Sequence, residues 1–147
     1  MKFTSVSLLA LLAVSSLPAL AIASPEKGLE IAIAADNRDK GFGDTTADMT
    51  MTLTDKYGQS TSRAIRNRTL EGNDEGDKSI VIFDSPGDVR GTAFLSHTKK
   101  TETDDQWLFL PALKRVKRIA SSNKAGPFMG SEFAYEDISS QEVEKYT

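Results

Sequence analysis

The 147 residues contain no cysteine, one histidine and one tryptophan. Without thiols there is no disulfide framework and no thiolate metal site. A lone histidine leaves no multi-histidine metal site. We read His97, in Leu95-Ser96-His97-Thr98, as a strand-end surface residue rather than a catalytic base. Positive charge is in short supply: 18 Lys and Arg stand against 21 Asp and Glu. A mildly acidic chain lacks the basic footprint that nucleic acid or anionic membranes require. Carboxylates are plentiful, as in Asp104-Asp105, Glu136-Asp137, Glu142 and Glu144, but nothing in their spacing pairs two of them at a catalytic separation. The sequence therefore predicts no enzyme, no metal and no cofactor.

Long apolar runs are also scarce. The one candidate is Val6 to Leu20, and it is interrupted by Ser15, Ser16 and Pro18. It falls short of the about 20 residues that cross a bilayer. Lys2 before it and Ala21-Ile22-Ala23 after it give the pattern of an export signal over residues 1–23, cleaved before Ser24; Ala19-Leu20-Ala21 is a second candidate site. No cysteine follows, so the mature chain carries no lipid anchor. Losing Lys2 takes the net charge from −3 to −4. Residues 24–147 suffice for one small domain that relies on its own core.

What remains reads as one helix followed by strands. Ser24 as N-cap, Pro25 at the first position and Glu26 in the first turn open a helix. Leu29, Ala32, Ile33 and Ala35 give it an apolar face, and Gly41 a stop. Asp36 to Asp44 is not a calcium loop, because Arg38 and Lys40 would occupy ligand positions. In Met49 to Leu53 apolar residues alternate with Thr, as on a strand with one wet face. Thr61 to Leu70 is the return strand; the Asn67-Arg68-Thr69 glycosylation pattern within it is taken as chance. Ser79 to Phe83 and Arg90 to Ser96 form a hairpin across Ser85-Pro86-Gly87-Asp88, which suits a type II turn. Gln106 to Leu110 and Arg115 to Ile119 complete an antiparallel meander.

Ile80 to Phe83 and Trp107 to Leu110 are apolar on both faces. Such a sheet needs a cover on each side. The helix is one candidate cover; a second layer, a lid or a ligand is another, and ordinary core packing could supply both. Lys114-Arg115-Val116-Lys117-Arg118 would place Lys114 and Arg118 on one strand face and Arg115 and Lys117 on the other. It is either a solvated strand or a contact for an anionic headgroup or acidic partner. Gly126-Pro127-Phe128-Met129-Gly130 would either plug the core edge or form a flap over a ligand, where Met suits an adaptable surface.

Phe83, Ser85-Pro86, Gly91-Thr92-Ala93-Phe94-Leu95, Trp107 to Leu113, Arg118-Ile119, Phe128 to Ser131 and Tyr135-Glu136-Asp137 keep one order over about sixty residues. In these features the chain resembles the outer-membrane lipoprotein-sorting proteins of the LolA-like type. The resemblance implies an α+β fold: an N-terminal helix, then a curved antiparallel sheet that is part of a half-open β-barrel. It implies a periplasmic carrier that holds lipid or lipoprotein acyl chains in an apolar groove for transfer toward the outer membrane. An inner-membrane exporter and an outer-membrane acceptor are the candidate partners at either end. The groove candidates are Met49, Met51, Leu53, Ile82, Phe94, Trp107, Phe109, Phe128 and Met129; core and groove use the same residue types. Family members continue for further strands, so residues 24–147 read as an N-terminal portion with an unpaired sheet edge. The alternative function is a non-enzymatic scaffold or binding module of the cell envelope, associated with an inner-membrane exporter.

Overall fold

The computed structural model describes residues 24–72, 75–140 and 142–146. The export signal, residues 1–23, lies outside the described residues. Helix α1 spans Pro25–Asp39, with Pro25 in its first turn. The Ser24 hydroxyl accepts the Lys27 amide at 3.2 Å, satisfying one of the helix's orphan donors. The chain leaves α1 through Lys40, in an extended conformation, and through Gly41 and Gly43 at φ of +87° and +70°.

Six strands follow: β1 Asp44–Thr54, β2 Ser60–Leu70, β3 Lys78–Ser85, β4 Ala93–His97, β5 Asp105–Leu110 and β6 Arg115–Arg118. They form one antiparallel sheet in chain order, β1 to β6, and β1 does not close onto β6. The β1–β2 turn is set by Asp55, whose carboxylate accepts the Tyr57 and Gln59 amides at 2.8 and 2.9 Å. That is the local bonding by which Asp favours turns. The second hairpin departs from the sequence expectation. Ser85–Pro86 is cis, and the chain loops through Gly91, at φ +79°, before β4 begins at Ala93 rather than at Arg90. The Phe83 carbonyl accepts the Gly91 amide at 2.8 Å, and Val89 turns inward, so the loop is a tertiary feature and not a simple type II turn.

Register sorts the side chains onto two faces. Ile65 lies opposite Phe83, Val81 opposite Phe94, and Phe94 opposite Leu108. These residues, with Val89 and Phe128, are the buried core. Their cover is not the helix: no residue of α1 is buried. The cover is the irregular chain from about 120 to 140, which folds back through short 3-10 turns at Ser121–Asn123, Phe128–Gly130 and Glu136–Ile138. Phe128 inserts between Phe83 and Phe94, at ring centroid separations of 5.9 and 5.3 Å, and Tyr135 packs edge-on against it at 5.4 Å. Backbone groups of the cover are tied down as well: Gln106 Nε2 donates to the Tyr135 carbonyl and to Ser139 Oγ at 3.0 and 3.1 Å. Arg63 Nη1 donates to the Met129 carbonyl at 2.7 Å.

The opposite face, with Ile80, Ile82, Leu95, Trp107, Phe109 and Val116, carries no covering layer among the described residues. Phe109 and Val116 are 36% and 64% exposed. The basic run also differs from its expected geometry. Lys114 precedes the strand in a left-handed conformation, so it does not share a face with Arg118. Within β6, Arg115 and Lys117 take one face and Val116 and Arg118 the other. Arg118 pairs with Asp105, which also meets Lys99 at 3.1 Å. The run is thus at least partly neutralised, and its charges suit an edge strand that resists further pairing.

Candidate functional site: a cleft beneath the first helix

α1 stands over one end of the covered sheet face and leaves a cleft of about 1370 Å³. Leu29, Ala32 and Ala35 enter it from the helix, Phe42 from the exit loop, and Thr45 and Thr69 from β1 and β2. Helical spacing of three residues brings Leu29, Ala32 and Ala35 to one face. Ile33, expected beside them, does not line the cleft and is 44% exposed. Val143 and Glu142 close the far side, on a segment that ends in the 3-10 turn Val143–Tyr146. That turn is the main packing partner of α1.

Three polar anchors stand around the cleft. Both carboxylate oxygens of Glu71 accept backbone amides of the helix exit, Gly41 at 2.5 Å and Gly43 at 2.7 Å. The Gly41 amide, then that of Gly43, holds the Glu71 carboxyl below the usual range. Glu142 is buried and accepts the Thr98 hydroxyl at 3.2 Å. Burial pushes its carboxyl up, with the Thr98 bond acting in the opposite sense. Lys145 reaches Asp104 at 2.5 Å and pins the turn to the sheet.

The residues expected to line a groove fall into three places. Met49, Met51 and Leu53 lie on the cleft's face of β1, since Thr45 is in phase with them. Met49 is 44% exposed, and the other two are half-buried. Phe94 and Phe128 are sealed in the core, with half-buried Met129 packed against it. Ile82, Trp107 and Phe109 are on the opposite, uncovered face. None of the nine lines the cleft itself. Sequence reasoning missed Phe42 and Val143 as lining residues, because turns far apart in the chain bring them together and no periodicity marks them.

His97 lies at the end of β4 with its ring edge-on to Trp107, centroids 5.1 Å apart. Burial, then Lys78, holds its imidazole below the ordinary value of 6.5, while Asp105 acts the other way. The unfolded chain therefore binds this proton more tightly. The stability associated with neutral His97 is fully present above about pH 6.5 and is lost as pH falls toward the folded pKa. A charged imidazole quenches indole emission, and the chain has one of each ring. Trp107 fluorescence of the native protein should titrate with a midpoint below 6.5. A midpoint at or above that value would contradict the partial burial of His97.

A crystal structure named as that of an outer membrane lipoprotein-sorting protein domain, from Vibrio parahaemolyticus, is 59% identical to this chain, with a TM-score of 0.78. The match covers 82% of this chain and 51% of that one. At that identity the chain is a relative of this domain. Its helix and unclosed six-stranded sheet form the α+β half-barrel shared with that structure. A DUF1329 family protein from Desulfovibrio piger shares the fold at 28% identity and a TM-score of 0.74, again over 82% of this chain and 51% of that chain. The chain thus spans about half the length of each solved structure. A family model described only as that of an uncharacterized protein matches residues 75–147. Comparison with curated proteins gives no match.

Proposed function

We propose that residues 24–147 are the N-terminal part of a periplasmic carrier that takes lipid or lipoprotein acyl chains into an apolar groove for delivery toward the outer membrane. Residues 1–23 act as the cleaved export signal. The observation that carries this reading is the cleft beneath α1: it is open, largely apolar in its helix wall, and bounded by a helix that contributes nothing to the buried core. From Thr45 to Leu53, about 26 Å at the usual rise per strand residue, Ala47, Met49, Met51 and Leu53 extend the same face away from the cleft. Flexible methionines on such a track adapt to chains of differing shape.

The mechanism needs no bond to break. Each methylene moved out of water contributes about 0.8 kcal/mol, so a groove that excludes water retains a chain until an acceptor offers an equal or better one. An inner-membrane exporter and an outer-membrane acceptor fill the donor and acceptor roles in this scheme. Native mass spectrometry of protein released gently from the periplasm should find the processed chain, beginning at Ser24, with acyl lipid bound. Lipid-free protein that instead cross-links to an envelope protein would replace the carrier with a scaffold.

A further inference from the structure

The position of α1 is not explained by its packing. A helix normally docks by burying an apolar face, yet no residue of α1 is buried, and Leu29, Ile31 and Ile33 are 39%, 59% and 44% exposed. What ties the helix exit to the sheet is polar. Glu71, at the first position after β2, offers one carboxylate oxygen to the Gly41 amide and the other to the Gly43 amide. Its own amide donates to the Gly43 carbonyl at 2.8 Å. Hydrogen bonds to an ionised acceptor are the stronger kind; two of them, with the amide-to-carbonyl bond, converge on one loop of three residues.

That loop has the properties of a hinge. Gly41 and Gly43 both have positive φ, a region side-chain-bearing residues rarely enter. A Cβ on either would meet nothing within 4 Å. Glycine is therefore required there for backbone conformation and not for space. Rotation at these two residues would move α1 without disturbing Phe83, Phe94 or Phe128, since none of the core depends on the helix.

We infer that Glu71 is the positioning residue of the cleft: its clamp on Gly41 and Gly43 sets a hinge that holds α1 over the cleft, and releasing it lets the helix swing away. This rests on the carrier reading for its purpose, but the hinge itself is a property of the chain. The two amide donors hold the Glu71 carboxyl below the ordinary carboxylate value, so the clamp is closed at neutral pH. α1 also meets the Val143–Tyr146 turn, itself anchored by Glu142 and Lys145. Polar contacts thus hold α1 beside the cleft.

The absence of cysteine makes the test direct. Ile33→Cys on α1 and Ser62→Cys on β2, both at exposed positions, would take spin labels in the full chain without competition. With Glu71 present, the label-to-label distance should be narrow. Glu71→Ala should broaden it, and exchange of the Gly41 and Gly43 amides should quicken by about ten-fold or more, the loss expected when charge-assisted bonds are removed. Glu71→Gln, which keeps one good acceptor, should fall between. The urea midpoint of the sheet should not move, which separates release of the hinge from unfolding. Dissociation of palmitate, used as the acyl probe, should quicken in the same order. An unchanged distance distribution and unchanged exchange in Glu71→Ala would overturn the hinge. Wild-type protein that retains palmitate no better than a denatured control would overturn the carrier reading while leaving the distance result to stand.

Discussion

Phe128→Ala is expected to cost about 3–5 kcal/mol, as loss of a large buried aromatic does. A small domain has only about 5–15 kcal/mol of stability in total. Phe128 is 1% exposed and touches Phe83, Phe94 and Tyr135. Removing its ring would leave the 120–140 cover held by hydrogen bonds around a cavity. Urea denaturation should show a midpoint lowered far below that of the wild type, or a protein that no longer folds cooperatively. Val116→Ala, at 64% exposure on the uncovered face, should stay within about 0.5 kcal/mol. If the two variants denature alike, Phe128 is a surface flap and not the plug of the core.

Ala32→Asp should nearly abolish acyl binding. Ala32 sits in the cleft wall, where a bound chain would strip water from the new carboxylate and leave it unpaired, a cost that far exceeds that of an exposed charge. Wild-type affinity for fatty acids should grow about four-fold for each added methylene, following the burial of about 0.8 kcal/mol per CH₂. Phe109→Asp, on the opposite face, should leave binding intact, and Trp107 emission should not shift to the blue when lipid enters. Circular dichroism on both variants confirms that each is folded. Should Phe109→Asp lose binding and Ala32→Asp keep it, the groove lies on the Trp107 face and the cleft beneath α1 is not the lipid site.

The start of α1 was legible because its signals are local. Ser24, Pro25 and Glu26 act within one turn, and the helix begins where they place it. The strands were legible for a similar reason: alternation and turn residues fix an antiparallel meander, and all five turn-linked neighbours pair in chain order. Misplaced boundaries cluster where the chain makes tertiary contacts. β4 starts late because residues 86–92 loop inward to bury Val89; β6 starts at Arg115 as expected, but Lys114 does not share a face with Arg118 because it ends a turn in a left-handed conformation.

The sequence by itself determined an acidic, thiol-free chain with one capped helix and a run of strands too apolar to stand uncovered. Those properties depend on composition and on neighbours a few residues apart. Only the tertiary structure decided which face is covered, and by what. Phe94 and Trp107 look alike as apolar strand residues, yet register puts one in a sealed core and the other on an open face. The helix that looked like the cover buries nothing, while the Gly126–Gly130 segment, composed like a loop, supplies the plug. The cleft depends on Glu71 reaching back about thirty residues to Gly41. Such placements are long-range: each follows from where the whole chain returns in space, and no local pattern of hydrophobicity encodes that return.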